Sequence, residues 1–230
     1  MTDPKNAEAY RLRGQVYEAQ REHEKAVADF SEVLKLAPDP LTLQQRGFEL
    51  FRLARVKEAV ADFDKFLELV PSQAAQHWQR GIALYYAGRF EDGRKQFELH
   101  QTVYPSDVEN TVWHFLCVAR SAGVEKARAS LIKIQGDARV PMAQVHALFV
   151  GKGSPQEVLV AAEAGQPPAP VLKNHLFYAH LYLALYYEAT GNAKLTEEHL
   201  TKATGPYAQE HYMGDVARVH LKLLNSRKKE

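Results

Sequence analysis

Apolar positions in the first 105 residues fall at helical spacing in paired blocks, and each second block closes on a proline. Residues 7–36, 41–69 and 74–103 each read as two helices joined by a short turn, the turns centred on Arg21-Glu22, Ala54-Arg55 and Gly88-Arg89. The blocks share anchors: Arg13-Gly14, Ala26, Phe30 and Pro38 return as Arg46-Gly47, Ala59, Phe63 and Pro71, then as Arg80-Gly81, Gly93, Phe97 and Pro105. The step from Gly14 to Gly47 is 33 residues and from Gly47 to Gly81 is 34.

Two antiparallel helices approach closely when a small residue faces a large one. Gly14, Gly47 and Gly81 supply the small side, and Phe30, Phe63 and Phe97 the bulk. Ala26, Ala59 and Gly93 let the second helix sit near its neighbours. Pro38, Pro71 and Pro105 stop that helix, because proline lacks the amide donor and clashes with the preceding turn.

Beyond the third block the period weakens. A fourth pair spans residues 108 to about 134, keeping Ala127 and Leu131 but placing Phe115 where the small glycine stood. Residues 142–150 read as a short helix, Gly151-Lys152-Gly153 as a turn, and Ser154-Pro155 as the capped start of a helix ending near Gly165. Gln166-Pro167-Pro168-Ala169-Pro170 reads as a non-helical connector, with a ligand-like proline segment as the alternative. A fifth pair follows at 174–190 and 193–203. A last amphipathic helix, about 209–224, aligns Met213, Val216, Val219, His220 and Leu223 and is expected to cap the stack.

The period, the helix pairs and the closing prolines together resemble the tetratricopeptide repeat. That resemblance implies an all-α chain: a right-handed α-solenoid of stacked antiparallel helix pairs, interrupted by an irregular helical insert. The expected segments are 1–137 with three regular units and the degenerate fourth, 138–170 with the insert and connector, and 171–230 with the fifth pair and cap. The order of these parts, with the run Phe177-Tyr178-Ala179-His180-Leu181-Tyr182-Leu183-Ala184-Leu185-Tyr186-Tyr187 late in the chain, is similar to NlpI-type bacterial lipoproteins. Such a resemblance implies an envelope-associated adaptor presenting proteases or cell-wall hydrolases to their targets.

Composition removes several other classes of function. Lys+Arg 29 against Asp+Glu 28 gives a net charge of +1, so no global field favours nucleic acid or an anionic membrane surface. The basic run Arg227-Lys228-Lys229 reads as a solvated helix end. One cysteine, Cys117, excludes an intramolecular disulfide and a cysteine-built zinc site. No apolar run reaches the roughly 18 residues of a membrane span, and no signal segment opens the chain. Asp3-Pro4 reads as the end of an upstream unit, so the compartment stays open, an exported or envelope-associated parent included.

In repeats of this kind the first helices line a concave face, and helical spacing assigns its residues. These are Arg11 and Gln15 in the first unit, Gln44, Phe48, Phe51 and Arg52 in the second, and Trp78, Ile82, Tyr85 and Tyr86 in the third. Trp113 and Arg120 follow in the fourth. Aromatic area with Arg and Gln hydrogen bonding suits an extended peptide or a partner helix. A carboxylate clamp of the co-chaperone kind is not matched, since Arg11, Gln15 and Gln45 stand at its places. The alternative is a face covered by the protein itself or by a second copy in a homodimer.

No catalytic, cofactor or metal assignment follows. His175 and His180 lie five apart and diverge by about 140° on a helix. Cys117 with His114 three residues before it lacks an orienting third group and reads as a buried thiol. A distant alternative is a hydrolase in the irregular half using His146, His175, Glu188 or Tyr178. The expected function is a non-catalytic scaffold that binds a protein or peptide, without nucleic acid, cofactor or membrane insertion.

Overall fold

The computed structural model describes residues 6–227, and Asp3-Pro4 and Lys228-Lys229 lie outside them. The fold is all-α, of the α-solenoid kind, with thirteen α-helices and one 3-10 turn among the described residues. The chain divides into two compact units, Met1–Arg89 and Phe90–Glu230. The division falls inside the third sequence repeat.

The first unit holds α1 (Ala7–Ala19), α2 (His23–Leu36), α3 (Pro40–Arg52), α4 (Val56–Leu69) and α5 (Trp78–Tyr86), with a 3-10 turn at Pro71–Gln73. Helices α1 and α2 pack as a pair, α3 and α4 as the next, and α2 lies against α3. The small-against-large reading holds in the first two blocks. A Cβ on Gly14 would come within 2.8 Å of Phe30 Cε1, and one on Gly47 within 2.5 Å of Phe63 Cε1. Phe30, Phe63, Ala26 and Ala59 are fully buried around these contacts.

The turn after each first helix repeats one backbone shape. Arg21 (φ 58°) and Ala54 (φ 63°) hold left-handed conformations, as does Gly88 (φ 78°). At each the amide reaches back three residues and the next amide five, as in Arg21 N to Glu18 O at 3.0 Å and Glu22 N to Tyr17 O at 2.8 Å. This closes the last turn of the helix on its own carbonyls. Asn6 and Asp39 cap α1 and α3, each accepting from the amide three residues on. Helix α5 begins later than its sequence block, because residues 71–76 turn tightly and His77 serves as its cap, Nδ1 accepting from Arg80 N at 3.3 Å.

The second unit holds α6 (Phe90–Gln101), α7 (Val108–Ala122), α8 (Val124–Ala129), α9 (Met142–Val150), α10 (Pro155–Glu163), α11 (Ala169–Ala189), α12 (Ala193–Thr204) and α13 (Tyr212–Arg227). Helix α11 is its axis, buried from Leu181 to Leu185 and packed against α7, α9, α10 and α12. The α11–α12 turn repeats the first unit's geometry, with Gly191 at φ 82°, Gly191 N on Glu188 O and Asn192 N on Tyr187 O. Ser154 and Glu157 form a reciprocal capping box at α10, and α13 packs on α12.

Three further sequence expectations are corrected. Helix α8 ends at Ala129 instead of reaching about residue 134. The segment after it satisfies its polar groups against the α6–α7 junction: Lys133 O accepts from Gln101 Nε2 at 3.1 Å, and Asp137 accepts from Val108 N at 3.3 Å. The connector 166–170 is partly helical, since Ala169 and Pro170 form the first turn of α11. Proline is tolerated there because first-turn amides have no intrahelical partner to lose. Helix α13 starts at Tyr212 rather than about 209.

Candidate functional site

The first helices of unit one are oriented by a repeated ion pair. Arg13 grips Asp29 through Nε and Nη2 at 2.7 and 2.6 Å, and Arg46 grips Asp62 the same way at 2.8 and 2.7 Å. Asp29 and Asp62 are 4% and 5% exposed, so each carboxylate depends on its two parallel donors. Both pairs span sixteen residues. Sixteen after Arg80 the sequence has Gln96 in place of aspartate, and Arg80 bonds Asp64, sixteen residues before it, at 2.6 Å. Asp29 and Asp62 share the 33-residue period of the Arg-Gly anchors, so their spacing is legible in the sequence.

With the helices set in this way, the expected binding residues divide into two groups. Phe51, Ile82 and Tyr85 are buried and do not line an open surface, and the same holds for Trp113 in the second unit. The reason is packing: Phe51 meets Tyr86 at 5.9 Å between ring centroids, and Tyr85 meets Tyr86 edge-on at 5.2 Å. Arg11, Gln15, Gln44, Phe48, Arg52, Trp78 and Tyr86 remain half-buried on α1, α3 and α5.

Their two arginines are already engaged. Arg11 bonds Glu8 and Asp39, each at 2.9 Å. Burial raises the Asp39 carboxyl, but hydrogen bonds from Thr42 and the charge of Arg11 outweigh it and hold the group below its ordinary value. Phe48 lies 5.3 Å from Phe63 and 6.3 Å from His77. His77 sits among Phe48, Phe63 and Phe66, and its burial lowers the imidazole to about 4. Arg52 pairs with Glu18 at 3.3 Å and with the fully buried Glu49, which also meets His23 Nδ1 at 2.6 Å. Burial, then the Glu49 charge, pushes the Glu18 carboxyl up. This cluster of Glu18, His23, Glu49 and Arg52 joins α1, α2 and α3, and it escaped the sequence reading because its members come from three helices.

In unit two Arg120 is exposed, lying 5.1 Å over the Phe90 ring and 3.8 Å from Glu188. Glu188 also meets His220 at 3.5 Å and Arg227 at 3.4 Å. Three residues of the hydrolase alternative have separate neighbours: His175 Nδ1 lies 3.2 Å from Ala162 O, Tyr178 stacks on His211, and Glu188 meets Arg120, His220 and Arg227. Cys117 is buried, which pushes its thiol well above the ordinary value, away from a thiolate. Among the described residues no group of three His, Cys, Asp or Glu is placed to hold a metal, and no helix is long and apolar enough to cross a membrane. A second network, exposed at Arg139 and buried at Tyr182, follows no helical spacing: Glu109 accepts from Tyr182 Oη at 2.5 Å and from Arg139, which also holds Asp107 and Asp137.

Comparison with known proteins agrees with the repeat. Residues 7–40 match the family model of the tetratricopeptide repeat. Among solved structures, MamA (41-end) from Desulfovibrio magneticus RS-1 is 20% identical over 88% of this chain and 94% of that one, with a TM-score of 0.51. A tetratricopeptide repeat protein from Parabacteroides merdae ATCC 43184 is 18% identical over 95% and 71%, with a TM-score of 0.49.

Proposed function

We propose that this tetratricopeptide repeat chain is a non-catalytic scaffold that holds an extended segment of a partner protein on the first-helix face of unit one. The observation that carries the reading is the set of half-buried side chains on α1, α3 and α5: Phe48, Trp78 and Tyr86 give aromatic area, with Gln15 and Gln44 beside them. Rigid aromatics with amide side chains suit a peptide, whose backbone needs hydrogen bonds along its length. Arg11 and Arg52, each paired with two carboxylates, act in this reading as fixed supports that hold α1 and α3 in place beside the peptide.

A peptide array with the chain as probe, followed by calorimetry on the strongest peptides, tests this. Trp78→Ala with Gln44→Ala should weaken binding at least about tenfold, the size of a modest hot spot, with the helical signal unchanged. Equal affinity in a folded double variant would remove the face from consideration. A second reading, self-association, is favoured by Leu12 and Val16, 56% and 51% exposed on α1. The corresponding α3 and α5 positions of Val16 are the buried Glu49 and Ala83. Sedimentation over a hundredfold range of concentration, with Leu12→Gln and Val16→Gln as controls, separates the two readings.

A further inference from the structure

We propose that His180 and His199 form an acid-sensitive latch that holds α12 and the Tyr207 turn against α11, and that protonating both histidines releases it. The two rings meet Nδ1 to Nδ1 at 2.7 Å, inside the protein, with 4% and 6% of each residue exposed. A contact of that length carries one proton: one ring donates N–H and the other accepts through its lone pair. A first added proton leaves that bond intact, because an imidazolium still donates to a neutral ring. A second proton must go on the accepting Nδ1, which sets two N–H groups and two positive charges face to face.

The surroundings keep the pair dry and give it something to hold. Tyr207 stacks on His180 at 5.2 Å and 16°, and Tyr187 stacks on His199 at 5.5 Å and 25°. Tyr207 lies in the turn from α12 toward α13, its amide bonded to Lys202 O. The latch therefore ties three segments: α11, α12 and the turn beyond it.

The charged groups acting on the pair are both on α12, Glu198 favouring protonation and Lys202 opposing it, and they bond each other at 3.0 Å. Ionisable groups on the other elements packed around α11 and α12 are engaged elsewhere. Glu109 of α7 is bound by Tyr182 and Arg139, Asp215 of α13 by Arg218, and His220 of α13 by Glu188. His146 of α9 is half-buried and Glu163 of α10 is exposed. No carboxylate bonds either imidazole of the pair among the hydrogen bonds described, and burial holds both rings below their ordinary value, His180 at about 4. The open state takes up its two protons as soon as pH falls below about 6.5, the unperturbed value for histidine.

Hydrogen exchange by mass spectrometry on the full chain, from pH 7.5 to 5.0 and corrected for the intrinsic rate, tests the latch. Segments covering α12 and residues 205–211 should lose protection below pH 6.5, at higher pH and more steeply than α7 and α9, whose own histidines His114 and His146 bring a later and shallower loss. Opening should steepen toward about a hundredfold per pH unit, the slope of two protons. His199→Asn keeps an acceptor near the Nδ1 position and cannot take the second proton, so its slope should fall to about tenfold per unit or less. Undiminished protection of α12 at pH 5.0 overturns the proposal. So does loss spread evenly over unit two, or a slope in His199→Asn equal to that of the parent. If the variant does not fold at pH 7.5, ring-proton NMR of the parent decides the matter: a joint transition of His180 and His199 well below 6.5 supports the latch, and independent titration near 6.5 refutes it.

Discussion

Unit one and the α7 to α9 region of unit two solve the same packing problem in opposite ways. In unit one the first helix of a pair carries glycine, so the phenylalanine of the second helix can sit against its backbone, as Phe63 does at Gly47. In α7 the position of that glycine is taken by Phe115, fully buried and meeting Phe149 of α9 edge-on at 5.1 Å. A large side chain on the first helix is paired here with a short second one, α8, six residues long. The aromatic contact moves to a later helix. The identity of one residue in the first helix thus decides whether the chain continues its pair or recruits packing from further along.

The comparison is broken most strongly at Phe115. Phe115→Ala should lower stability by about 3 to 5 kcal/mol, the cost of an aromatic cavity in a closed core, read by urea unfolding followed at Trp113. Arg46→Ala should come next, at about 3 kcal/mol, because it strands the buried Asp62 carboxylate. Arg80→Ala should cost about 1 kcal/mol, since Asp64 is 31% exposed and keeps Arg89 at 2.9 Å. A double-mutant cycle with Asp62→Ala then isolates the Arg46 pair. Adding one methyl where α7 tolerates a ring, Gly47→Ala, should cost about 1 to 3 kcal/mol through the Phe63 clash, followed at Trp78.

Acid separates the units more gradually. In unit two His114, His146, His180, His199, His211 and His220 are held below 6.5, chiefly by burial. In unit one the resolved downward shift of this kind is at His77. A histidine held down in the folded state contributes stability that is whole above the unfolded value, about 6.5, and is lost as pH falls toward the folded one. Each strongly shifted group loses about 1 kcal/mol between pH 6.5 and 5.5. Glu109, held up by burial, acts in the opposite sense nearer its ordinary carboxylate value. Urea midpoints followed at Trp113 should therefore drop between pH 7 and 5.5 by more than those followed at Trp78, and equal drops would contradict the difference. The smallest effect expected is a gain: Ala54→Gly relieves a left-handed alanine at φ 63° and should stabilise by about 0.5 to 1 kcal/mol, a rise of a few degrees in Tm.

Much of the fold was legible because its determinants are local and periodic. Gly14 with Phe30 and Gly47 with Phe63 appear in the sequence at constant spacing, as do the turns at Arg21 and Ala54. What could not be read was how far a neighbour covers a given stripe. Phe51, Ile82 and Tyr85 have the spacing of groove residues and the structure buries them, while Phe48, Trp78 and Tyr86 on the same stripes stay half-exposed. Periodicity assigns direction and leaves depth undetermined. Pro170 misled for a different reason: a proline that would break a helix interior is neutral in a first turn, and only the position of the preceding cap decides which it is. The His180–His199 contact joins residues nineteen apart on consecutive helices, with no spacing rule to announce it.

The Arg–Asp pairs measure length. Gly14 to Phe30 and Gly47 to Phe63 are both sixteen residues, as are Arg13 to Asp29 and Arg46 to Asp62, so one residue inserted at the turns near 21 or 54 would misalign a close contact and an ion pair together. The step from 33 to 34 residues arises elsewhere, between Pro71 and Arg80, where Pro71, Ser72 and Gln73 are exposed. The chain has absorbed an extra residue at the joint between helix pairs, and that joint is where a reporter peptide or an affinity tag can be spliced in without disturbing the pairs on either side.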